Sequence, residues 1–107
     1  MNDESGWVAL IPADELGPGE MRAVEVGDSR LAVYNVDGVL HVTDNTCTHA
    51  FALLTDGWLE DGIIECPLHG GRFKVATGEA IAEPAEKALR IYPTRLRHGV
   101  VEVLLQA

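Results

Sequence analysis

The chain has 107 residues, 47% of them apolar and 23% charged, proportions that suit one globular domain and argue against disorder or a second independent core. Seventeen acidic residues against eight basic ones give a formal charge of −9, so phosphate backbones would repel the chain and nucleic acid is a poor candidate partner. No apolar run approaches the ~18 residues that a membrane span needs, so no membrane partner is expected.

Met1-Asn2-Asp3-Glu4 is acidic and lacks the basic flank of a secretory signal, which sets the expectation of a cytoplasmic protein. Trp7 to Ile11 then forms an apolar run stopped by Pro12, followed by a proline- and glycine-rich loop to Glu20 with one helical turn at Ala13–Leu16. Met21 to Val26 and Leu31 to Val36 are predicted strands about a Gly27-Asp28 turn. Asp37-Gly38 is a two-residue hairpin signal that returns the chain as Val39 to Thr43. Towards the C-terminus, Leu89–Leu96 and Val100–Leu105 flank a His98-Gly99 turn. No 3.6-residue apolar period persists over three turns, so long helices are not expected. Between Asp44 and Gly78 the strands shorten, leaving only Gly62–Glu65, and this stretch holds both cysteines and two of the four histidines. It reads as loops inserted into an antiparallel β framework, where functional groups commonly sit.

The spacing within those loops is C-x-H-x16-C-x2-H: Cys47-Thr48-His49, then Cys66-Pro67-Leu68-His69. Residues two apart on an extended segment face the same side, so Cys47 and His49 can address one site. Pro67 bends the second segment and Gly70-Gly71 permits a sharp turn after His69. Two loops, each with a sulfur and an imidazole, can thus close on one inorganic centre. Zinc accepts two cysteines and two histidines, but its familiar finger places both cysteines first. The alternating order suits a [2Fe–2S] unit in which one iron takes both thiolates and the other both imidazoles. A buried thiol or a surface imidazole is the plain reading of any one of the four alone.

The two segments resemble the Rieske iron–sulfur motif, and Phe73, Thr77-Gly78 and Pro84-Ala85 stand where Rieske proteins have similar residues. The resemblance spans about Val33 to Val103. It implies an all-β fold, an antiparallel β-sandwich with a small inserted cluster-binding subdomain at about residues 44–80, within a single domain over residues 1–107. It also implies one [2Fe–2S] cluster, with Cys47 and Cys66 on the buried iron and His49 and His69 on the outer one.

Respiratory Rieske proteins bridge their two ligand loops with a disulfide. Ala52 and Leu68 stand at those places, so that bridge is absent. The same proteins place hydroxyl donors to the cluster sulfurs where Gly71 and Phe73 stand here, and losing such donors lowers the potential towards the bottom of a range of roughly −150 to +300 mV. The imidazole N–H groups imply a potential that falls as pH rises through their ionisation in the oxidised form. A disulfide-free single domain of this kind resembles the Rieske-type ferredoxins of bacterial aromatic-ring-hydroxylating dioxygenase systems. The resemblance implies a monomeric electron carrier, not itself an enzyme. It would take electrons from an NAD(P)H-dependent flavoprotein reductase and pass them to a terminal Rieske non-haem iron oxygenase. Phe51, Leu53, Trp58 and Leu68 are candidates for a docking rim, or equally for a simple cover over the cluster. Ala50-Phe51-Ala52 departs from the family's usual small polar stretch. Arg72 and Lys74 read as solvated strand ends in preference to a site for an acidic partner, as Asp56, Glu60 and Asp61 read as a solvated loop, and His41 and His98 receive no redox role. The competing readings are a small Rieske subunit of an assimilatory nitrite reductase and, from another class, a zinc-stabilised interaction module.

Overall fold

The computed structural model describes residues 6–48, 51–68 and 70–105. Ten strands follow one another among the described residues: β1 (Trp7–Pro12), β2 (Met21–Val26), β3 (Ser29–Val36), β4 (Val39–Asp44), β5 (Trp58–Glu60), β6 (Ile63–Glu65), β7 (Arg72–Lys74), β8 (Ala80–Ala82), β9 (Thr94–Arg97) and β10 (Val100–Leu104). Two 3-10 turns, Ala13–Glu15 and Leu54–Asp56, are the helical elements among the described residues. The strands pair antiparallel in three sheets, ordered β1-β10-β9, β2-β3-β4 and β5-β6-β7-β8. The all-β antiparallel fold is therefore as the sequence led us to expect. Among the described residues no helix is long and apolar enough to cross a membrane.

Turn chemistry sets the hairpins. Asp37 and Gly38 both take positive φ, 52° and 92°, the signature of the primed turn whose twist matches its flanking strands. The same geometry recurs at Asp61-Gly62, with φ of 53° and 77°, and it folds β5 back on β6, where the sequence predicts a solvated loop. β1 carries a bulge between Ala9 and Ile11 against β10.

The segment expected as a strand from Leu89 to Leu96 is divided. Its first part runs along β4, with the Asp44 N–H donating to Arg90 O and the Tyr92 N–H to Val42 O, and Ile91 bridging Thr43. Pro93 has no N–H for a ladder. Past it the chain crosses to β10 and becomes β9. One segment thereby ties the first sheet to the second.

β3 is the centre of the molecule. Leu31, Ala32, Val33 and Tyr34 are all fully buried, because this middle strand is covered on both faces. Alternation sends Leu31 and Val33 to one side, among Leu16, Val42, Tyr92, Val101 and Val103. Ala32 and Tyr34 go to the other, among Leu54, Ile64, Phe73, Val75 and Leu89. The Tyr34 hydroxyl is paired with Thr43 Oγ1 at 2.9 Å, which satisfies both groups inside the core. Both cysteines belong to this second cluster.

Candidate metal centre

Each cysteine stands at the base of a short loop that closes through backbone hydrogen bonds. In the first loop Thr46 bridges Leu53, and the Cys47 N–H donates to Ala52 O at 2.9 Å. Asn45, 1% exposed, fastens the base. Its backbone O accepts from the Leu54 N–H at 2.7 Å. Its side-chain Oδ1 accepts from the Thr55 N–H, and its Nδ2 donates to Thr55 Oγ1, both at 2.9 Å. Just after Cys47, Thr48 Oγ1 donates to Lys87 O. The second loop follows β6 and returns as β7, with the Cys66 N–H donating to Gly71 O at 2.7 Å. Gly70 takes φ 76°, so the turn expected of the glycine pair falls where the sequence placed it.

The two loops are packed backbone against backbone. A Cβ built on Gly57, at the end of the first loop, would lie 1.9 Å from Glu65 O and 3.1 Å from Pro67 Cδ. Two loops that are separate in sequence thus become one structural unit. Cys47 is 4% exposed and Cys66 fully buried, and they form no disulfide. Ala52 packs on the same cluster and Leu68 is exposed. His49 and His69 lie outside the described residues, as does Ala50.

Other residues singled out in the sequence divide by depth. Phe73 and Ala85 are buried in the cluster with the cysteines. Phe51 is wholly exposed, Trp58 and Leu68 are exposed, and Leu53 is half-buried. Arg72 pairs with Glu65 at 3.1 Å and Lys74 with Glu79 at 3.8 Å, so each strand-end cation is matched within the chain. Asn45, Thr55 and Gly57 carry no signal of their role in the sequence.

A second clamp joins the first loop to the framework. The Tyr92 hydroxyl donates to Asp44 Oδ1, and the Arg90 guanidinium lies 4.8 Å above the Tyr92 ring. Burial, then the hydrogen bond to Asp44 and its negative charge, push the Tyr92 hydroxyl up from 10.0 to about 12, against a smaller opposing pull from Arg90. The folded state keeps the proton that the unfolded chain gives up at its ordinary value. Stability from this group is therefore complete below about pH 10 and lost as pH rises through about 12. Tyr92→Phe is expected to unfold at lower urea than the parent at neutral pH, with the gap closing across that window. A gap that stays constant to high pH would contradict the assignment.

The framework is antiparallel β and holds two buried, unbridged thiols on packed loops. The sequence profile of the Rieske [2Fe-2S] domain matches residues 6–93, and the chain belongs to that family. The ferredoxin component of the naphthalene 1,2-dioxygenase/salicylate 5-hydroxylase systems of a Ralstonia species is 40% identical over 92 residues, which cover 86% of this chain and 88% of the relative. The Sphingomonas yanoikuyae B1 ferredoxin superposes with a TM-score of 0.89 at 44% identity, covering 92% of this chain and 98% of that one. A structure described as the complex of reduced oxygenase and oxidized ferredoxin in carbazole 1,9a-dioxygenase contains a chain that superposes at 0.88 with 38% identity, covering 92% and 93%. The cofactor of the family is one [2Fe–2S] cluster. The donor chemistry fits it, because soft thiolates in a water-poor apolar cluster are what an iron–sulfur centre requires of its inner side.

Proposed function

We propose that this protein is a cytoplasmic, monomeric one-electron carrier, the ferredoxin that links an NAD(P)H-dependent flavoprotein reductase to a terminal Rieske non-haem iron oxygenase acting on aromatic rings. The reading is carried by two buried, unbridged cysteines on packed loops, in a chain 40% identical to a dioxygenase ferredoxin component. We assign Cys47, Cys66, His49 and His69 as the four ligands. The surrounding subdomain runs over about residues 44–80 of a single domain spanning 1–107.

The cluster supplies reversible one-electron chemistry when bound. The chain does the rest. The apolar cluster around Cys47 and Cys66 excludes water from the thiolates, and the two loop-closing hydrogen bonds hold both cysteines in place. Rigid donors need little rearrangement when the charge changes by one. Phe51 and Leu68, exposed on the two loops, offer apolar contact to a partner that must bind briefly and leave. Excess acidic charge steers that encounter towards basic surfaces.

Two measurements test the proposal. The protein purified in air is expected to be red-brown and to give an EPR signal after dithionite. His49→Ala or His69→Ala should abolish or transform both, and variants with an unaltered spectrum would remove the ligand assignment. Mixed with a reductase and an aromatic-ring oxygenase, the parent is expected to restore NAD(P)H-dependent hydroxylation. Failure with the oxygenase alongside coupling to a nitrite reductase would favour the other redox reading.

A further inference from the structure

The outward face of β5, β6 and β7 carries two cross-strand rows: Trp58 opposite Glu65 opposite Arg72, and Glu60 opposite Ile63 opposite Lys74. These rows and the Asp61 turn enclose a groove of about 290 Å³ lined by Trp58, Glu60, Asp61, Ile63, Glu65 and Arg72. One end already holds a guanidinium, since Arg72 Nε lies 3.1 Å from Glu65 Oε1. At the other end Trp58, 59% exposed, stands beside Glu60 and Asp61. Among the described residues no cation lies within ion-pair distance of those two carboxylates. An open indole face next to unmatched negative charge is the environment in which a guanidinium or ammonium group binds best.

We propose that this groove receives an arginine or lysine side chain from a basic surface of the protein's electron-transfer partner, stacked on Trp58 and balanced by Glu60 and Asp61. Charge complementarity selects the occupant, because the chain as a whole stands at −9 and two of its carboxylates at this end of the groove have no cation beside them among the described residues. Its position gives the contact a purpose. Trp58 stands directly across from Glu65, which immediately precedes Cys66 and whose Oε2 would lie 3.6 Å from a Cβ on Gly70, so a cation stacked on Trp58 lies one cross-strand pair from the start of the second cysteine loop. Identifying the partner as an electron-transfer protein rests on the carrier reading; the cation site itself does not.

The test uses the cluster-loaded protein and a hexa-arginine peptide, titrated by calorimetry at low ionic strength. The parent is expected to bind with an affinity that falls as salt is added. E60Q/D61N should weaken binding about five- to tenfold and Trp58→Leu about threefold, with Trp58→Phe in between. E25Q/D28N removes the same number of charges at the β2–β3 turn and should stay within about twofold of the parent. The same ranking is expected for the rate at which the reduced protein passes an electron to ferricytochrome c, a lysine-rich acceptor. Equal weakening by both charge pairs would reduce the effect to net charge and overturn the site, as would unchanged binding in E60Q/D61N and Trp58→Leu. Peptide binding is read as heat and the carrier role as NAD(P)H-dependent hydroxylation, so either can fail without the other.

Discussion

Gly57→Ala is expected to lower stability by about 3 kcal/mol and to cut the iron bound per chain, although it adds a single methyl group. The added Cβ would lie 1.9 Å from Glu65 O and 3.1 Å from both Glu65 C and Pro67 Cδ. Two of these are backbone atoms and the third belongs to a proline ring, so no side chain can swing aside. Glu65 is also fixed on both sides, paired with Trp58 in β5 and with Arg72 in β7. The methyl can be housed only by moving the end of the first loop away from the start of the second. Gly17→Ala is the fitting comparison: its Cβ would meet only the flexible Glu20 carboxylate, at 3.4 Å or more. Urea unfolding and iron analysis of the two variants check the claim. Matching midpoints and iron contents would mean that the loops are not held by this contact.

Asn45→Ala is expected to cost about 2–3 kcal/mol, the second large effect. The Asn45 amide is buried and makes two hydrogen bonds to one residue, accepting from the Thr55 N–H and donating to Thr55 Oγ1. Removing it leaves a partly buried N–H without its acceptor and opens the base of the loop that carries Cys47. Thr55→Val removes only the hydroxyl partner and should cost about 1 kcal/mol. Since both changes break the same pair, the double variant should lose less than the sum. Additive losses in a thermal or urea series would separate Asn45 from Thr55. The cost to the metal centre is then read independently, as iron retained after dialysis against a chelator.

These two residues mark the boundary of what could be read along the chain. Nothing in Asn45 or Gly57 as letters distinguishes them from other asparagines and glycines. Asn45 matters because Thr55 returns to it across a loop, and Gly57 because Glu65 passes within contact distance after a hairpin. The Asp61-Gly62 hairpin, by contrast, carried the same signal as Asp37-Gly38. The sequence does not reveal it as a hairpin, because the strands on either side are only three residues long, too short to show an alternating pattern. Arg72 and Lys74 stand at strand ends as expected, but the register alone shows which glutamates they meet.

By itself the sequence determined the all-β class, the hairpin at Asp37-Gly38 and the paired cysteine–histidine segments, because strand alternation, turn conformation and ligand spacing are properties of neighbouring residues. Only the tertiary structure decided that β3 is buried on both faces, that the chain beyond Leu89 changes sheets at Pro93, and that both thiols share one apolar cluster. Those outcomes depend on which surfaces meet, and burial is shared among segments far apart in the chain. An apolar run such as Leu31 to Tyr34 is compatible with several partners, and the choice among them is made by packing.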